Sequence, residues 1–101
     1  MQGWQVVTSQ DEKLGHVVAE LDDYLIVEGG HFKKSRHPIP KAFAHAREGE
    51  QEVCVSLPKD MVHESPKVNG VDEFDREAAA QHYGLAEAME TTPAGVDATR
   101  V

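Results

Sequence analysis

The sequence predicts a small, mainly β domain followed by a short α-helical segment. Three observations carry this. Leu14–Gly30, LGHVVAELDDYLIVEGG, reads as a β-hairpin that turns at Leu21-Asp22-Asp23 and stops at Gly29-Gly30. Short runs rich in β-branched and aromatic residues recur at 4–8 and 52–57, broken by Gly and Pro. After Asn69-Gly70 the composition turns acidic and alanine-rich with helical spacing. Short strands of this kind followed by a helix suggest a small barrel or a partly open sheet.

The elements follow in order. Trp4-Gln5-Val6-Val7-Thr8 is a first strand, with Trp4 and Val6 on one face and Gln5 and Val7 on the other. Trp4 is a core residue by default. The polar run Ser9–Lys13 turns the chain into the hairpin. Gly15 interrupts a strand pattern, the mark of a bulge or a close backbone approach. In the return strand Leu25 and Val27 share one face, and Tyr24, Ile26 and Glu28 the other. A strand apolar on both faces is central, or packs something on its outer face. Residues 31–36 form a loop. The prolines of His37-Pro38-Ile39-Pro40 cannot complete a hydrogen-bonded ladder, so this stretch belongs at an edge or a corner. Lys41–Arg47 has both helical and alternating character and reads as a short strand or turn. In Glu52–Leu57, Val53, Val55 and Leu57 face inward.

Pro58 ends that strand. Lys59–Glu64 makes one helical turn, closed by Ser65-Pro66. Asp72 is the expected N-cap of a second helix that runs to about Tyr83, with Glu73, Asp75 and Glu77 where the helix dipole favours acids. Val71, Phe74, Ala78 and Leu85 form its apolar stripe, with His82 among them. Gly84 is the natural stop, and Leu85–Glu90 adds a further turn. The organisation is a β domain over residues 1–68, a helical segment over 69–90 and a flexible tail over 91–101.

At 101 residues the chain forms one domain, which buries roughly 65% of its unfolded surface. The single cysteine, Cys54, cannot form an intramolecular disulfide. No apolar run approaches the ~20 residues of a membrane span, and the N-terminus lacks the order of a secretory signal. The expected compartment is the cytoplasm. Residues 1–47 hold six acidic and six basic side chains, whereas residues 48–101 hold twelve acidic and four basic ones. The net charge of −8 disfavours nucleic acid as a partner.

No stretch carries a motif of recognisable chemistry, and no cofactor is expected. The one basic concentration is the loop His31–His37, in which Phe32, Lys33, Lys34 and Arg36 form a candidate docking patch for an anionic partner. A basic loop and an acidic helix on identical chains attract each other, so a homo-oligomer is the expected assembly. The ordinary alternative is a solvated loop tip. The helical segment serves either as a cap on the barrel's open end or as a dimer or partner helix. Among six histidines, His31 and His37 flank one loop and form the alternative reading, a metal or ligand site. None of the six falls in the close pairing typical of structural zinc, and solvated or core-edge histidines are the ordinary reading. Cys54 as a nucleophile needs an activating base and an oxyanion site. A lone cysteine on a valine-rich strand is usually a small packed residue. The sequence therefore favours a non-enzymatic interaction or assembly module.

Several segments resemble the PRC-barrel family. Val6-Val7-Thr8 followed by Glu12-Lys13-Leu14-Gly15-His16-Val17 is similar to that family's opening, where a DGxxLGxV-like segment starts the second strand. Here Lys13 stands in place of the usual glycine, so the first turn differs. Tyr24–Gly29 resembles the next strand. His37–Ala44 resembles its hxxPxxxV segment. Val53–Leu57 with Asp60–Pro66 resembles its last strand and the following turn. The resemblance covers about residues 4–66. It implies a small six-stranded barrel that docks to other macromolecules, as in the cytoplasmic part of the photosynthetic reaction centre H subunit, the ribosome maturation factor RimM and stand-alone proteins of unknown role. The family has no common catalytic site, so the resemblance assigns no residue a catalytic or ligand role.

Overall fold

A computed structural model describes residues 1–30 and 34–84. Six strands form one mixed sheet: β1 (Gln5–Thr8), β2 (Lys13–Glu20), β3 (Tyr24–Gly29), β4 (Ser35–Pro40), β5 (Ala44–Arg47) and β6 (Glu52–Val55). Two short helices follow, α1 (Lys59–His63) and α2 (Arg76–His82). The strand order is β4-β3-β2-β1-β6-β5. All neighbours are antiparallel except β1 and β6, which run parallel with Val6 opposite Val53. The mainly β class and the six strands agree with the expectation. The barrel does not close, because the sheet ends at β4 on one side and β5 on the other. No helix among the described residues is long and apolar enough to cross a membrane.

β3 is the strand on which both apolar clusters meet. Leu25 and Val27 belong to the larger cluster, with Val6, Val17, Ile39, Val53, Val55 and Tyr83. Tyr24 and Ile26 belong to a second cluster with Val68 and Ala79. The expected two-sided burial is met, and the outer face of β3 is covered by α2 and the segment before it. Trp4 packs, partly buried, against the larger cluster, and Leu57 lies within it.

The sheet is bent where β2 is irregular. Its register against β1 shifts between Val6 and Val7, so Leu14 is an extra residue next to Gly15. A second shift against β3 falls between Val17 and Ala19. Each bulge bends the strand and increases its twist. Gly15, at φ +139°, and Gly29 face each other across β2 and β3. A Cβ on Gly15 would overlap the Glu28 carbonyl, and one on Gly29 the Leu14 carbonyl. The glycine read from the sequence as a bulge or close approach is both.

The stretch Lys41–Arg47, read as a short strand or turn, is a single 3₁₀ turn at Lys41–Phe43 followed by β5 from Ala44. Three boundaries differ from expectation. β4 begins at Ser35, so Ser35 and Arg36 are strand and not loop. β6 ends at Val55, two residues early. The second helix is capped by Asp75, not Asp72: Asp75 Oδ1 accepts from the Ala78 N–H at 3.0 Å. Asp72 cannot take that role because residues 69–73 are closed into a tight loop. Asn69 N–H donates to Glu73 O at 2.8 Å, and Glu73 N–H to Asn69 O at 3.1 Å. Val71 therefore lies ahead of the helix and is 46% exposed, not on a buried stripe. Ala79 and Tyr83, four residues apart, supply the buried face instead. Leu85, the expected turn 85–90 and the tail 91–101 lie outside the described residues.

Gly29→Ala is expected to lower stability by about 1–3 kcal/mol, since the added methyl meets backbone. Gly49→Ala, where a Cβ meets open space, is expected to stay within about 0.5 kcal/mol of the parent. Urea denaturation of both variants checks the pair.

Candidate functional site

The edge strand β4 gathers most of the polar chemistry. Pro38 and Pro40 have no N–H, and β3 occupies the other side of the strand. Its free carbonyls are taken by the C-terminal part of the chain. Val68 N–H donates to Arg36 O at 2.8 Å, and Tyr83 Oη donates to Pro38 O at 2.7 Å. Burial pushes the Tyr83 phenol up to about 12. It therefore stays protonated, and remains a donor, at any physiological pH. These bonds, from residues on either side of α2, tie the segment 68–83 to the β4 edge. At the start of α2, Arg76 pairs with Asp23 at 2.9 Å and lies 5.1 Å from the ring centroid of Phe74. Phe74 packs edge-on against Tyr24, 5.2 Å between centroids.

Of the four docking residues, the structure places two. Lys34 is exposed just ahead of β4, whereas Phe32 and Lys33 lie outside the described residues. Arg36 is half-buried and committed. Its Nε donates to Glu28 Oε2 at 3.0 Å across the β3–β4 register, and its Nη1 donates to Gly70 O. That hydrogen bond to Arg36 holds the Glu28 carboxyl below its usual range. Arg36 thus clamps the 69–73 loop onto the sheet. The positive groups left facing solvent here are Lys34 and Lys67, which line an open groove together with the Glu28–Arg36 pair, Asn69 and Gly70. Sequence reading missed Lys67 because it sits alone between Pro66 and Val68, thirty residues from the basic loop.

His37 is 6% exposed and has both ring nitrogens engaged. Nδ1 lies 3.0 Å from Ser65 Oγ and Nε2 lies 3.1 Å from Ser35 Oγ. Ser65 Oγ donates to Val62 O at 2.6 Å. A hydroxyl has one proton, so Ser65 accepts from Nδ1–H, and Nε2 accepts from the Ser35 hydroxyl. The ring is neutral, with one donor and one acceptor, both satisfied. Desolvation by burial holds its pKa below the ordinary histidine value, and the charges of His63 and Lys67 act in the same direction. The chain Ser35–His37–Ser65–Val62 is a structural lock between β4 and α1. Ser65 is not poised as a nucleophile, because its proton is already given to a backbone carbonyl. His31 lies outside the described residues. No group of three or more His, Cys, Asp or Glu residues that could hold a metal occurs among the described residues. Cys54 is half-buried on the sheet face opposite Val53 and Val55, directly across from His45 of β5.

No protein-family model matches the chain, and no curated protein does. The reading of this site therefore stands on its residues.

A buried neutral histidine has a definite pH signature. As pH falls below about 6.5, the ordinary histidine value, the unfolded chain binds the proton first and the folded chain does not. Stability present above that pH is therefore lost as pH falls toward the folded value. Thermal unfolding between pH 8 and pH 5 is expected to show this loss. His37→Gln is expected to start lower and to lose less over the same interval. Ser65→Ala strands the Nδ1–H and the expected cost is about 1–3 kcal/mol.

Proposed function

We propose that this chain is a non-enzymatic interaction module that associates with itself, built as a PRC-barrel-like domain and acting in the cytoplasm. The observation that carries the reading is a set of exposed charges of both signs, on and beside the 67–73 loop and on α2, that stand without ion pairs among the described residues. Lys34 and Lys67 are exposed, and neither forms an ion pair among the described residues. Asp72, Glu73 and Glu77 are exposed and equally without ion pairs there. Surface charges satisfied within one chain contribute little to binding, whereas unpaired charges of both signs favour a complementary charged surface. The acidic excess favours a protein partner over a phosphate backbone.

The non-enzymatic part is supported by the polar side chains that do converge. Ser35, His37 and Ser65 bond to one another and to backbone, which rigidifies the β4 edge and leaves no free nucleophile there. The PRC-like part is supported by six strands with two bulges in β2, the device by which a small sheet curls. Phe32, Lys33 and Lys34 belong to this reading as the docking loop, with Arg36 as the residue that fixes the loop's far end to the sheet.

Light scattering at low salt and at about 1 M salt, where charges act over only about 3 Å, tests self-association. The expected result is a mass above one chain at low salt that falls toward one chain at high salt. Lys33→Glu with Lys34→Glu is expected to lower the low-salt mass. A single-chain mass for the parent at both salts and at high concentration would contradict the reading.

A further inference from the structure

We infer that the loop 67–73 is the centre of a two-fold contact between copies of this chain, with Val71 at its middle and Lys67 of each copy facing Asp72 of the other. The inference rests on the self-association reading and names its surface.

The loop is built to hold a fixed shape. Asn69 and Glu73 close it through two backbone hydrogen bonds. Gly70 takes the turn at φ +65°, a conformation that side chains with a Cβ disfavour. Two further bonds fasten the loop to β4: Val68 N–H to Arg36 O, and Arg36 Nη1 to Gly70 O. A loop with so many backbone bonds loses little freedom on binding, which lowers the entropic cost of association.

What this rigid loop presents is unusual for a solvent-facing turn. Val71 is one of only two exposed large hydrophobic side chains among the described residues, the other being Met1. Ahead of Val71 in the chain, Lys67 lines with Lys34 an open groove of about 630 Å³. After it come the exposed acids Asp72 and Glu73, leading into the returning leg that the antiparallel Asn69–Glu73 bridge sets beside the first. An apolar centre between a basic and an acidic flank is self-complementary. Rotating one copy by 180° about an axis through Val71 brings the basic flank of each onto the acidic flank of the other. That is what a two-fold interface requires, because the same patch must serve both copies. The two valines lose water at the centre, and the charge pairs fix the register. The groove is much larger than a single ion needs, and Arg36, its most buried cation, is already bound to Glu28 and Gly70. A small anion would therefore find only the two flexible lysines, whereas a side-chain-bearing loop fills the space.

Three variants test this: Lys67→Glu, Asp72→Lys and the double reversal. Neither side chain takes part in a hydrogen bond or ion pair among the described residues, so each variant is expected to keep the parent's thermal midpoint. Sedimentation equilibrium at low salt is expected to show association weakened by about tenfold or more in each single variant, where like charges meet across the axis, and restored in the double. Val71→Arg is expected to dissociate the pair. If the parent self-associates and the single reversals and Val71→Arg do not weaken it, this surface is wrong while self-association stands. If the singles weaken association and the double does not restore it, the two-fold pairing is overturned. A parent that is a single chain at every concentration would remove both the surface and the reading beneath it.

Discussion

Burial of β3 on both faces is the constraint on which the rest of the molecule depends. Leu25 and Val27 fill one cluster while Tyr24 and Ile26 fill another. A four-residue β1 and a four-residue β6 could not by themselves cover the second face. The chain therefore has to return after β6 and lay Val68, Phe74 and Ala79 against it. Each fully buried Val, Leu, Ile or Phe contributes about 1.5–3 kcal/mol relative to exposure. Without the returning segment, β3 would show an apolar stripe to water. The outer cluster thus fixes where residues 65–83 run, and that route fixes where the exposed 69–73 loop stands.

Burial alone does not set the position closely enough. Directional bonds along β4 do. The outer edge of β4 carries carbonyls that need donors: Val68 N–H supplies one to Arg36 O and Tyr83 Oη one to Pro38 O. His37 adds a neutral ring locked between two serines. Arg36 joins the sheet's Glu28 to the Gly70 carbonyl. Each such bond is worth about 0.5–1.5 kcal/mol net, but leaving one of these buried groups unmatched costs more, so the arrangement is selected as a set. The Gly15–Gly29 approach works in the same sense, since it lets β2 and β3 come close at the point where β2 bends. The route of the chain over β4 is the link between the fold and the surface it offers.

Much of this was legible from residue pattern alone. The hairpin and its turn, the two-sided β3, the special role of Gly15, the edge position of the proline-flanked β4 and the inward set Val53, Val55 and Leu57 all follow from alternation, Gly and Pro. What was not legible depends on contacts between distant residues. Asp72 and Asp75 are equally good caps by local chemistry, and only the Asn69–Glu73 closure chooses between them. Arg36 looks like its neighbours Lys33 and Lys34 until Glu28 is placed beside it across the register. Ser65 reads as the end of a helical turn, and its partnership with His37 spans 28 residues. Lys67 carries no local signal and matters because the fold sets it in one groove with Lys34, and Val71 reads as part of a helical stripe until the Asn69–Glu73 closure leaves it exposed. Closure of the sheet was likewise beyond local pattern, because it depends on whether β4 and β5 meet.

The most direct test of the central claim, that a second copy sits on the 67–73 loop, is an isotope-filtered nuclear Overhauser measurement on a mixture of labelled and unlabelled chains. The expected result is cross-peaks between copies from the Val71 methyls to the side chains of Lys67, Val71 and Asp72. Contacts between copies that appear only elsewhere, for example along β5, or none at all at concentrations high enough to populate a weak dimer, would contradict it.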